Sequence, residues 1–178
     1  MSRKAVRTPP FAQLLAFAVL ELPGCQQPTV RPPATVRSDE PATVIGVEPA
    51  VHSLGELAEA GDYQMTIASI DDCSVPPPFA PKPDDVKLGV DVVIAGTTAN
   101  EVPANPFYAL LYDEAGGTYE STLAGCEPGL VPRLVTRGED ARGFITFEVP
   151  KTARALTMRY APLIIGRGAE ELRFSIPR

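Results

Sequence analysis

The alternation of side chains over residues 86–95 constrains the fold of this chain more than any other feature. Val86, Leu88, Val90, Val92 and Ile94 fall on one side of an extended chain; Lys87, Gly89, Asp91, Val93 and Ala95 fall on the other. A period of two is the pattern of a β-strand, because successive side chains point to opposite faces. One apolar face and one mainly polar face mark a strand in an antiparallel sheet with a single buried side. The same beat recurs in Tyr63, Met65 and Ile67, in Ile145, Phe147 and Val149, in Leu156, Met158 and Tyr160, and in Leu172, Phe174 and Ile176. Residues 106–112 are apolar on both faces and are expected to form a central strand. Turn formers separate these runs: Pro76-Pro77-Pro78, Asn105-Pro106, Gly116-Gly117, Arg137-Gly138 and Gly166-Arg167-Gly168. Past Gly61 no stretch repeats its apolar residues every 3.6 positions, so helices are not expected to build the core. Seven or eight short strands at this spacing predict an all-β antiparallel sandwich over residues 62–178.

The chain begins differently. Arg3, Lys4 and Arg7 precede an almost wholly apolar run at residues 11–20. Ten helical residues rise only about 15 Å, half the thickness of a bilayer core of about 30 Å. A basic start and a short apolar run form the pattern of a secretory signal peptide, here assigned to residues 1–24. Leu22-Pro23-Gly24-Cys25 then resembles the lipobox of bacterial lipoproteins, with Pro23 and the neighbouring Glu21 departing from its usual composition. The resemblance implies that Cys25 receives diacylglycerol and that the mature chain hangs from a membrane through its lipid. Two or more acyl chains give stable anchoring. Cleavage before Cys25 removes three basic residues and one acid, which moves the formal charge from −6 to −8. An acidic body is repelled by an anionic leaflet and projects away from it. In a Gram-negative host, Gln26 after the lipidated cysteine favours outer-membrane sorting.

Residues 25–41 hold the lipidated cysteine and a tether. Residues 26–41 carry four prolines and no apolar period, too little apolar surface to offset chain entropy. At about 3.1 Å per residue such a segment spans roughly 40–50 Å when extended. Residues 42–61 are transitional: Val44, Ile45 and Val47 fit the start of a first strand, and residues 54–60 fit a helical turn or a second short strand.

Cysteine usage agrees with export. With Cys25 lipidated, Cys73 and Cys126 remain, and a pair of cysteines in an exported chain is expected to form a disulfide. In the chain-entropy model that loop is worth about 4 kcal/mol. The bridge is expected to pin two loops at one end of the sandwich. An acidic chain without a basic block excludes nucleic acid as a natural partner.

A search for chemistry finds little. His52 is the only imidazole and falls ahead of the strand-rich region, as an exposed loop residue. Neighbouring Ser53 does not make a catalytic pair, since a triad needs its members beside one another in space. Asp71, Asp72, Asp84 and Asp85 flank the loop between Cys73 and Pro83 and form the one candidate calcium set, because Ca²⁺ takes six to eight oxygens. Acidic pairs at strand ends more often solvate turns. Zinc would need more His and Cys than remain. No glycine-rich phosphate loop follows a strand. No catalytic residue and no cofactor are expected. The most distinctive surface feature is Pro76-Pro77-Pro78-Phe79. Loops on rigid sandwiches often carry function, so this segment is the candidate partner-binding loop; the alternative, which the rarity of exposed large apolar groups favours, is that Phe79 folds back and caps the sandwich end.

Gly138-Glu139, the run from Gly143 to Pro150 that ends Phe147-Glu148-Val149-Pro150, and the alternation Leu156 to Tyr160 resemble the end of a bacterial immunoglobulin-like domain. The family is the domain-of-unknown-function 4352 family, common in lipoproteins and similar to the mycobacterial immunoprotective extracellular immunoglobulin-like antigens. The resemblance spans residues 62–177. Arg137 and Gly96-Thr97 depart from its pattern. It implies an immunoglobulin-like sandwich on the cell envelope and supplies no catalytic residues. The chain is therefore expected to be a monomeric, non-catalytic envelope lipoprotein that presents its domain to a protein, glycan or wall component. The alternatives are a spacer with no specific ligand, a calcium-dependent adhesion module and a hydrolase. Binding module and spacer differ in one visible respect: a binding module has a loop end with a concave or apolar patch, whereas a spacer has uniformly polar loops.

Overall fold

In a computed structural model the described residues are 49–164, 166 and 170–178. The chain divides into two units, Met1–Val44 and Ile45–Arg178. The signal peptide, Cys25 and the tether all lie outside the described residues.

Eleven strands are formed there: β1 (Val51–His52), β2 (Ala58–Ala60), β3 (Tyr63–Cys73), β4 (Asp85–Gly96), β5 (Val102–Ala104), β6 (Ala109–Tyr112), β7 (Thr118–Thr122), β8 (Arg133–Val135), β9 (Asp140–Pro150), β10 (Leu156–Tyr160) and β11 (Leu172–Ile176). Seven have four residues or more: five are the runs that the alternation marks, β6 falls in the doubly apolar run 106–112, and β7 was not anticipated from the sequence. Strand structure begins ahead of Asp62, however. The segment read as transitional holds β1, which was not expected, and β2, within the stretch 54–60 that fitted a helical turn or short strand; they complete the two sheet edges by pairing with β11 and β3, while the first strand expected at Val44, Ile45 and Val47 lies outside the described residues. Strands of two and three residues are too short to leave a period in the sequence.

Nine strands hydrogen-bond in the order β1-β11-β10-β6-β7-β9-β4-β3-β2, and β5 and β8 form a separate two-stranded ribbon. Every pair is antiparallel except β1 with β11. The ladder turns a corner at β7. Thr118, Tyr119 and Glu120 pair with β6, while Ser121 and Thr122 pair with Phe147 and Thr146 of β9. One strand thus belongs to both layers of an immunoglobulin-like β-sandwich.

The alternating residues fill the space between the layers. Met65, Ile67, Val90, Val92, Ile94, Ile145, Phe147 and Val149 come from one sheet, and Leu111, Leu156, Met158, Phe174 and Ile176 from the other; all are buried. Burying each such side chain is worth about 1.5–3 kcal/mol, so the period-two pattern sets both the register and the core.

Two expectations require correction. The outer face of β4 is polar but not open to solvent: Lys87 and Asp91 are only 5% and 7% exposed. Lys87 Nζ lies 2.8 Å from Glu148, and Arg142 spans from β9 to Asp91 at 2.7 Å. The segment after β7 covers the rest, with Leu130 N–H donating to Phe144 O and Phe144 N–H to Pro128 O. The run 106–112 is likewise not one strand. Asn105 caps a short 3₁₀ helix, Pro106–Tyr108, by accepting from Phe107 N–H through its side chain. Proline fits the first position because the missing N–H is unpaired there anyway. The central strand is confined to β6, and Phe107 is exposed rather than buried.

Candidate functional site

Cys73 and Cys126 form the disulfide, with their Cα atoms 5.0 Å apart. The bridge does not sit at the end of the sandwich. Cys73 closes β3, but Cys126 reaches back over the outer face of β4, where Gly89 lies. A Cβ on Gly89 would stand 2.4 Å from Cys126 Sγ and 3.0 Å from Cys73 Sγ. Gly89, a mere gap in the polar face when read from sequence, is thus the seat of the disulfide. Cys126 N–H also donates to Thr146 Oγ1 at 3.1 Å. The covering segment is held again at Gly143, whose φ of +154° and close approach to the backbone of Gly129 and Leu130 leave no room for a side chain.

The four acids proposed for calcium are dispersed. Asp71 accepts from Ser69 Oγ at 2.9 Å, Asp72 faces Arg178 at 3.9 Å, Asp85 faces Lys82 at 3.9 Å, and the Asp84 carbonyl accepts from Lys151 N–H. Cys73 pairs with Lys87 and Asp72 with Leu88, so β3 and β4 are offset at this end and hold the acidic pairs apart. Among the described residues no three His, Cys, Asp or Glu side chains group as a metal site.

His52 is not a loop residue. It belongs to β1, opposite Phe174, with the two rings 5.6 Å apart. Its Nδ1 lies 2.7 Å from Glu56 Oε1, and Ser53 donates its backbone N–H to Oε2 of the same carboxylate. Those two hydrogen bonds, Ser53's first, hold the Glu56 carboxyl below its ordinary value. Ser53 contributes its backbone to this turn, so the geometry is a strand-end cap rather than a nucleophile and its base.

The Pro76–Phe79 segment forms a turn, with Phe79 N–H donating to Pro76 O. Lys82 N–H donates to Glu148 at 3.3 Å, and Lys151 Nζ donates to Pro83 O at 2.5 Å, which ties the loop to β9 and to the turn after it. Phe79 does not fold back. It is 64% exposed on a fastened loop.

The other end of the sandwich, about 36 Å away along β4 at strand rise, carries a feature that sequence reading missed. A hollow of about 720 Å³ is lined by Asp62, Asn100, Pro103, Tyr108, Leu134, Leu163 and Ile164, among others. Across the 3₁₀ helix a smaller hollow of about 90 Å³ is lined by Phe107, Leu123, Leu130 and Pro132. Phe107, Leu123, Val131, Leu134 and Leu163 are all more than half exposed. Beneath them lies a fixed aromatic support. Tyr160 packs edge-on against Tyr63 and Tyr108 at 6.0 and 6.5 Å, and its hydroxyl donates to Pro103 O while accepting from Asn105 N–H. Tyr63 donates to Glu170 O at 2.8 Å. Burial pushes both hydroxyls above the usual tyrosine value, which keeps them neutral donors. Asp62 is buried at the rim and accepts from Thr98 Oγ1 at 2.6 Å and Asn100 Nδ2 at 3.1 Å. The one sequence signal for this surface was the doubly apolar run 106–112, whose first residues emerge as the exposed helix.

Comparison with known proteins agrees with this architecture. The chain is similar to the crystal structure of the candidate lipoprotein ycdA from Bacillus subtilis, with a TM-score of 0.57, 16% identity, and cover of 68% of this chain and 38% of that one. The chain therefore spans well under half of ycdA. It is similar to the yjhA protein of the same organism, with a TM-score of 0.55, 13% identity, and cover of 71% and 99%. MPT63, a secreted protein from Mycobacterium tuberculosis, aligns with a TM-score of 0.49, 12% identity, and cover of 73% and 99%. No curated protein matches the chain. The family described as "Domain of unknown function (DUF4352)" matches residues 52–170, a stretch that starts at His52 in β1 and takes in the hollowed end; the chain belongs to that family.

Proposed function

We propose that this chain is an exported, lipid-anchored binding module of the bacterial cell envelope, which presents the hollowed end of its sandwich to a protein partner. The observation that carries this reading is the set of four exposed large apolar side chains, Leu134 and Leu163 at one hollow and Phe107 and Leu123 at the other, on the two sides of the 3₁₀ helix. Apolar groups gathered in this way are uncommon on a surface that no partner covers. A spacer would have uniformly polar loops. The aromatic support under Tyr108 supplies rigidity, which lowers the ordering cost of binding. The partner that fits offers an aromatic or branched aliphatic side chain, with basic residues at its rim to face Glu101, Glu127 and the net charge of −6. The disulfide and the basic, apolar N-terminal run support export, and Cys25 supplies the anchor.

Two experiments test this. Photo-crosslinking residues placed at Leu134 and Leu163 in the producing cell are expected to give one discrete protein adduct that Phe107→Asp or Leu134→Asp weakens, while a probe at Thr118 gives none. Absence of an adduct from both positions would leave the spacer. The intact mass of protein recovered from membranes is expected to match a chain starting at Cys25 plus acyl groups, and Cys25→Ala is expected to lose it; a soluble, unacylated wild-type chain would remove the anchor.

A further inference from the structure

The open face of the other sheet carries a second site. Antiparallel pairing sets Arg159 of β10 directly opposite Arg173 of β11, and Val51 opposite Arg173 on the other side. Thr157 stands opposite Tyr112 of β6. These residues and Glu171 line a groove of about 620 Å³, within the range of about 300–1,000 Å³ usual for small-molecule sites. Like charges directly opposite one another on a sheet cost stability. Here the cost is met only in part. Arg173 Nε donates to Glu171 Oε1 at 2.5 Å, and Arg159 Nε donates to Oε2 of the same carboxylate. Two guanidinium groups share one carboxylate, which leaves one excess positive charge on a protein whose net charge is −6. Glu120, the other acid on this face, lies beyond Leu110, two strands from Arg159. Partial burial pushes the Glu171 carboxyl up, but the hydrogen bonds and charges of Arg173 and Arg159 outweigh it and leave the group below its ordinary value, so it stays ionised between them.

The shared carboxylate also fixes direction. Both arginines spend Nε on Glu171, and the Tyr112 hydroxyl also acts on the Arg159 guanidinium, so the Arg173 Nη groups and the remaining Arg159 N–H groups are left for a ligand. The side chains of Arg159 and Arg173 are 35% and 33% exposed. Guanidinium forks match planar oxyanions in two parallel hydrogen bonds. The rest of the groove is amphipathic: the Tyr112 ring and Val51 provide apolar surface, and the Thr157 hydroxyl and the Glu171 carboxylate provide polar partners.

We propose that this face binds a sugar acid, a pyranose ring that carries a carboxylate. The carboxylate engages the Nη groups of Arg159 and Arg173, the ring lies against Tyr112 and Val51, and its hydroxyls meet Thr157 and Glu171. The site is separate from the apolar end and stands whether or not a protein binds there. The test is titration of the purified full-length chain with glucuronate, glucose and inorganic phosphate, read from the Arg159 and Arg173 side-chain nitrogen signals by NMR. Glucuronate is expected to give saturable shifts, glucose none, and phosphate an affinity at least about tenfold weaker because it has no ring to stack. Arg173→Gln and Tyr112→Ala are each expected to weaken glucuronate about tenfold or more. Arg173→Lys keeps the charge without the fork, is expected to lose most of the affinity, and serves if the glutamine variant fails to fold. Glu171→Gln removes the carboxylate that orients both forks and is expected to weaken glucuronate several-fold, with a smaller effect on inorganic phosphate, which needs no ring placement. No saturable shift with glucuronate, equal affinity for phosphate, or unchanged binding in folded Arg173→Gln would each overturn the proposal.

Discussion

Single residues carry more of this fold than their size implies. Gly89 is the clearest case, because the disulfide rests where its side chain would be. Gly89→Ala is expected to destabilise the protein by about 1–3 kcal/mol through overpacking, measured by urea unfolding. The same substitution in a chain with both Cys73 and Cys126 changed to serine is expected to cost much less, and an equal cost would show that the bridge is not what Gly89 accommodates. Ser121 is the converse. Its buried hydroxyl has no hydrogen-bond partner among the described residues, so Ser121→Ala is expected to raise stability by about 1 kcal/mol. Asp113 supplies a pH prediction. The Tyr119 hydroxyl donates to it at 2.6 Å and Gly117 N–H at 2.7 Å; these bonds hold its carboxyl below the ordinary value, and the bond to Asp113 pushes Tyr119 up to about 12. A carboxyl depressed in the folded state stabilises at pH values above its unfolded value, and that contribution is lost as pH falls through the folded value. Tyr119→Phe is therefore expected to lower the melting temperature at neutral pH and to leave it nearly unchanged at the acid extreme, which flattens the acid limb below about pH 4.

At the scale of elements, the period-two runs were legible because one physical demand, a buried inner face, acts on every second residue for many residues. β4 and β9 are long and meet that demand throughout. β1 is too short to show it, and so His52 passed for a loop residue, whereas β2 fell in the stretch 54–60 that left a helical turn and a short strand both open. The covering segment at residues 123–132 left no period either. Its position is set by contacts distant in sequence, through Cys126, Gly143 and Phe144, which no local pattern records. The same cover explains why Lys87 is buried. Glu148 is its charge partner at 2.8 Å, and Lys87 heads the hydrogen bonds that hold the Glu148 carboxyl low. Glu148→Gln leaves an ammonium group enclosed without its partner and is expected to cost about 2–3 kcal/mol, read by denaturant melts. The candidate surfaces were harder to foresee than the strands. Phe79 was visible as a residue, but its exposure follows from bonds to β9. The apolar surface is assembled from residues 107 and 123 at one hollow and 134 and 163 at the other, which only the folded chain brings together.

For the whole molecule, the two sheets differ in what they present. One is overlaid by the disulfide-pinned segment, and the other keeps a solvent-facing surface with the arginine groove. Replacing both Cys73 and Cys126 by serine is expected to lower the unfolding free energy by about 4 kcal/mol and to free the overlay first, seen as faster amide exchange at Leu130 than at β10; uniform acceleration would contradict a local role. The pairing of β1 with β11 has a further consequence. These are the first and last strands among the described residues, and they are the one parallel strand pair in the ladder. A chain that emerges amino end first, from a ribosome or through a translocation pore, presents β1 early and must leave it idle until the last strand arrives. The seam closes only after every strand between the two has been delivered, so its formation reports that the sandwich has all its strands in hand.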